Sequence, residues 1–173
     1  MTRGLGMLRG ILYFVLLIGL QGALSSLLTR AGITPPNLFL LTAAAYALRL
    51  RAVPALLAGY AVGLLQDVLG HGLLGLHAAG LAGGVLILIG LRRFITDSGV
   101  FQSILTVVSA ILGQWAAFLI LTYWLRGGLV TVDALEKVLP WELLLTLLVY
   151  PLWSRVMSWG LGKRPSADQQ MGR

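Results

Sequence analysis

Thirteen lysines and arginines fall almost wholly in the short gaps between six apolar stretches, at residues 10–28, 36–50, 53–68, 72–91, 100–125 and 138–161. About 20 apolar residues cross the ~30 Å hydrocarbon layer of a bilayer as a helix. In lipid a helix has the further advantage of satisfying its own backbone groups. The composition agrees, with 58% of the 173 residues hydrophobic and 11% charged, against about 45–50% and about 25% in soluble domains. So few charges cannot cover the outside of one apolar core. A soluble globule is excluded, including the basic nucleic-acid binder that a net charge of +7 would otherwise suggest. The expected fold is an all-α integral membrane protein. Six transmembrane helices form a single domain over residues 1–162, and 163–173 form a polar cytoplasmic tail.

Two of the stretches are short. At 1.5 Å per residue, 36–50 and 53–68 reach only about 22–24 Å. They must sit beside longer neighbours, thin the bilayer locally, or end at a pocket; a hairpin of two half-buried segments is the alternative. Arg3 and Arg9 precede the first stretch as they would in a signal peptide. Its length of about 19 residues is nevertheless enough to span, and no small-x-small cleavage site follows, so it is read as a membrane helix. The basic residues then set the orientation. With a cytoplasmic N-terminus the inner segments hold ten of them: Arg3, Arg9, Arg49, Arg51, Arg92, Arg93, Arg155, Lys163, Arg164 and Arg173. The outer segments hold three, Arg30, Arg126 and Lys137. This is a positive-inside bias with both termini inside. Trp141 and Trp159 are 18 residues apart, or about 27 Å along a helix, which places them near the two interfaces. Tyr123 and Trp124 fall at the outer end of the fifth span.

Glycine marks close packing. Gly59-x-x-x-Gly63 and Gly80-x-x-x-Gly84 each put two small residues one turn apart on one helix face, where backbones can approach. The contact is either internal or between subunits. Pro140 suits the first turn of the last span, where its missing N–H is harmless, and Glu142 would complement the positive end of that helix. Pro151, inside the span, predicts a kink near Val149 or Tyr150.

Ionisable groups in lipid point to function, and few exist here. In the run GLLQDVLGHGLLGLH, Asp67 closes the third span beside Gln66, with His71 and His77 following. A carboxylate there faces the negative end of its own helix dipole. It needs compensation from His71, from Arg30, or from the amides that open the fourth span. Gln66, Asp67, His71 and His77 are therefore a candidate ligand or partner site; a turn cap at a tight hairpin is the structural alternative. Gln21, Ser109 and Gln114 are candidates for interhelical hydrogen bonds. Catalytic signatures such as H-E-x-x-H and G-x-S-x-G do not occur. His71 and His77, six residues apart, do not share a helix face, so no metal site, cofactor or enzymatic activity is indicated.

Three segments together resemble the rod shape-determining protein MreD family. They are the Pro-led second span PPNLFLLTAAAYALRLR, the hairpin GYAVGLLQDVLGHGLLGLHAAGLAGG with its G-x-x-x-G-L-L-x-D pattern, and the closing span LLLTLLVYPLWSRVMSWG. In the hairpin, Asp67, Gly75 and His77 occupy the polar and glycine positions of the motif. The resemblance implies a non-enzymatic scaffold in the bacterial inner membrane that binds the bitopic protein MreC. Through MreC it connects to MreB filaments, the glycosyltransferase RodA and a penicillin-binding transpeptidase, supporting peptidoglycan synthesis and rod shape. It also implies a fold similar to the substrate-binding subunits of energy-coupling-factor vitamin transporters, and such a subunit is the alternative function.

Overall fold

A computed structural model describes residues 2–70, 73–92, 99–124 and 132–162, which form six helices and no strand. These are α1 (Thr2–Arg30), α2 (Leu38–Arg49), α3 (Ala52–Leu69), α4 (Leu76–Leu91), α5 (Val100–Trp124) and α6 (Val132–Leu161). Local chemistry sets several of the boundaries. After the pair Pro35-Pro36, the Asn37 side-chain oxygen accepts from the Leu40 amide at 2.9 Å, capping α2. Pro54 sits in the first turn of α3, where no intrahelical donor is required. Gly75 has φ +97°, a left-handed value that glycine alone adopts without strain. This turn starts α4 at Leu76, four residues beyond the expected beginning of the fourth span.

The last helix departs further from expectation. α6 begins at Val132, six residues before the predicted span, because Ala134, Leu135, Glu136 and Lys137 are all good helix formers and carry it upstream. Pro140 and Pro151 both lie inside the helix. Pro140 is therefore not at a helix start, and Glu142 does not serve the positive end of α6. It projects from the third turn into the protein.

Among the described residues, three helices are long and apolar enough to cross a membrane: α1 over Gly6–Arg30, α3 and α5. α2 and α4 are shorter apolar helices. The outside of the bundle is apolar too, with Leu57 65%, Leu86 55% and Leu148 69% exposed. In water such a surface would aggregate; in lipid it is solvated. This is a helical membrane protein.

The shortest helix lies at the centre. Ten of the twelve residues of α2 are buried, and it packs against all five other helices. Around it, α3, α4 and α5 follow one another, while α1 lies at the edge along α6. The backbones approach closely at glycine. A Cβ on Gly59 would stand 2.7 Å from Val85 Cγ2, and one on Gly63 would run into the α4 backbone at His77 and Ala78. One step on, Gly80 faces the Phe118 ring, and Gly84 approaches the Ala110 carbonyl. Gly83 and Gly113, which carry no motif in the sequence, meet each other across α4 and α5. All these contacts are internal to the chain. Tyr13 Oη ties α1 inward through a buried bond to Thr42 Oγ1 at 2.7 Å. Because Thr42 donates to the Leu38 carbonyl, Tyr13 is the donor there.

Candidate functional site

The polar chemistry gathers where α3 closes and where α2, α4 and α6 begin. Asp67, in the last turn of α3, is 3% exposed. Its Oδ2 accepts from the amides of Gly75 (2.8 Å) and Ala78 (3.1 Å). Its Oδ1 accepts from the His77 amide (3.0 Å) and the His77 ring Nδ1 (2.8 Å). An ionised carboxylate only accepts, and everything that meets it here donates. The three amides are those a helix N-terminus leaves without intrahelical partners. Because Gly75 has no side chain to cap α4, a residue from the preceding helix performs that task. The positive end of the α4 dipole supplies the compensation that the α3 end withholds. Gly63 makes this possible one turn earlier, since only a missing Cβ lets α3 lie against the α4 backbone.

The bond to Asp67 assigns the proton of neutral His77 to Nδ1, an inference from the hydrogen-bond network. Its ring meets the edge of Phe118 at 5.9 Å, and Phe118 meets Trp115 at 5.8 Å, both T-shaped. Of the four residues singled out in the sequence, the fold thus joins Asp67 and His77. Gln66 is half-buried, and its Oε1 has no hydrogen-bond partner among the described residues. His71 lies outside the described residues.

The aromatic contacts lead to a second carboxylate. Glu142 of α6 is 5% exposed. Its Oε2 accepts from Trp115 Nε1 at 3.0 Å, and its Oε1 from Asn37 Nδ2 at 3.2 Å and Gln114 Nε2 at 3.4 Å. Asn37 joins most of the partners. Its amide donates to Thr146 Oγ1 at 3.1 Å, its Nδ2 also reaches Gln114 Oε1 at 3.3 Å, and its Oδ1 caps α2. Gln21 of α1 accepts from the next amide, that of Leu38, at 2.9 Å. Side chains from α1, α5 and α6 therefore converge on the start of α2. Gln21 and Gln114 take part in these interhelical bonds, whereas Ser109 is buried outside them.

Sequence reasoning missed Asn37 and Thr146 and misplaced Glu142. The missed signal was a carboxylate and an asparagine set among apolar residues, each of which lipid would penalise unless partnered. Chemically, the arrangement engages two carboxylates with donors of the same chain and fixes the registers of six helices. Among the described residues, no three His, Asp or Glu side chains converge on one point.

Comparison of the chain with protein-family models, with curated proteins and with solved structures finds no match in any of the three.

Proposed function

We infer that this chain threads a bacterial inner membrane six times with both termini in the cytoplasm. In this reading it is a non-enzymatic scaffold of the rod elongation complex that holds an MreC-like bitopic protein. The observation that carries the reading is the use made of the scarce ionisable groups. Asp67 and Glu142 are enclosed by donors of their own chain, so they serve architecture rather than bond-making. In the hairpin that resembles the MreD family, Asp67 of α3 is bound to the first turn of α4. Support for the topology comes from the ten-to-three division of basic residues and from Trp141 and Trp159, 45% and 49% exposed at opposite reaches of α6. A scaffold also needs a free flank. α1 has one, with Leu8, Ile11 and Val15 about half exposed or more, and no neighbour within 4 Å of where a Cβ on Gly6 or Gly10 would stand.

The test is co-purification of the full chain with a bitopic MreC-like protein from the same cells, together with depletion. Retention of that partner and loss of rod shape on depletion support the reading. Failure of both, with a micromolar water-soluble vitamin raising the melting temperature of the purified protein, would favour a substrate-binding subunit of an energy-coupling-factor transporter.

A further inference from the structure

At the opposite end of the bundle, α2, α5 and α6 diverge around a cleft of about 420 Å³. Its walls are graded. Leu41, Ala44 and Ala45 of α2 form an apolar side, Tyr150 faces them from α6, and Arg49 stands where α2 ends. Thr106 of α5 also lines the cleft; it is 1% exposed, and its hydroxyl has no hydrogen-bond partner among the described residues. A buried hydroxyl left in that state is unfavourable. Its natural partner is an acceptor carried by whatever fills the space.

The dimensions restrict that occupant. At about 420 Å³ the cleft has the size of a small-ligand pocket rather than of a groove for a helix about 10 Å across. One slender acyl chain with its ester carbonyl fits instead. Charge adds a second restriction. Arg49 donates from Nε to the Gly162 carbonyl and from Nη1 to the Ala45 carbonyl, and Arg92 donates to the nearby Leu50 carbonyl. These contacts bring the ends of α2, α4 and α6 together around Arg49 and Arg92, while Asp67 and Glu142 stand at the far end. Basic pockets between membrane helices accept anionic lipid head groups.

We propose that this cleft is a binding site for one anionic phospholipid, with an acyl chain along Leu41, Ala44 and Ala45, the phosphate at Arg49, and an ester carbonyl accepting from Thr106. Assigning the lipid to the cytoplasmic leaflet rests on the orientation proposed above; the occupancy itself does not.

The full chain is purified in detergent, stripped of lipid and titrated with phosphatidylglycerol, with phosphatidylcholine of the same acyl chains, or with inorganic phosphate. Bound stoichiometry is read by native mass spectrometry and stability by thermal melting. One phosphatidylglycerol per chain should be retained in preference to phosphatidylcholine. Arg49→Gln should reduce that preference by about fivefold, the conversion of ~1 kcal/mol per basic residue at a membrane surface. Thr106→Val keeps the side-chain volume, so it carries the test even where the arginine variant folds poorly. It should weaken both lipids alike and, without lipid, melt at or above the wild-type temperature, because no hydroxyl is then buried alone. Equal uptake of phosphatidylglycerol by wild type and Thr106→Val overturns the proposal. So does equal retention of the two lipids by wild type, or an inorganic-phosphate shift as large as that of the lipid. None of these readouts involves a protein partner, so failure here and failure of the scaffold reading are separate results.

Discussion

At the Asp67 end of the bundle, two buried carboxylates meet seven hydrogen-bond donors drawn from α4, α5 and the start of α2. At the Arg49 end the helices spread around a 420 Å³ cleft in which the Thr106 hydroxyl meets no partner among the described residues. Both ends belong to the same six helices, so the contrast is one of side chains. Where short helices begin, their free amides attract carboxylates and the ends are drawn shut. Where α2 finishes, Arg49 turns to the Ala45 and Gly162 carbonyls at the edge of the cleft. The closed end sets which helix packs on which; the open end can accept something else without disturbing that choice.

Substitutions should therefore hurt most at the closed end. Gly63→Leu opposes a side chain to the α4 backbone at His77 and Ala78, where no rotamer change relieves the clash. A loss of about 4 kcal/mol or more is expected, read as failure to obtain monodisperse protein or as a collapsed melting temperature. Glu142→Ala should cost about 3 kcal/mol, since it strips the acceptor from Trp115 and Asn37 while both stay buried. Glu142→Gln should recover part of that loss, and equal melting of the two variants would show that hydrogen bonding there contributes nothing. Asp67→Asn turns an amino group toward amides that themselves donate. A loss of about 1–3 kcal/mol is expected, and an unchanged melt would remove the carboxylate from any structural role. Ser103→Ala lies at the open end, where the hydroxyl bonds back to the Gly99 carbonyl of the preceding turn. Its effect should stay within about 0.5 kcal/mol. A larger loss would mean that the two ends differ less than their geometry suggests.

How legible each region was in the sequence follows from how local it is. Asp67 and His77 sit ten residues apart in one hairpin, so a single run of letters places them together. The stretch 100–125 coincides almost residue for residue with α5, because no charged residue and no proline interrupts it. Asn37 and Glu142 are 105 residues apart, and no spacing rule links them; only the packing of α6 beside α2 does. The start of α6 was hidden for another reason. Pro140 carries the mark of a first turn, and the charged segment before it has the look of a loop, yet its residues favour helix and the proline is tolerated within. Gly83 and Gly113 were invisible because each is a small residue without a repeat, given meaning by the helix opposite.

The shortness of α2 has a consequence for how the chain is made. Its twelve residues rise about 18 Å, some 12 Å less than the apolar layer, and it carries Asn37 at one end and Arg49 at the other. Such a segment leaves the ribosome before the helices that will surround it exist. Nascent chains stopped after α3 should fail to hold residues 36–50 across the membrane in a glycosylation-tag insertion assay, whereas chains continuing through α6 should hold them. Equal insertion at both lengths would mean that α2 settles unaided. In the expected case α2 is made ahead of α3 to α6 yet is among the last to find its place, and biogenesis of this bundle ends at its centre.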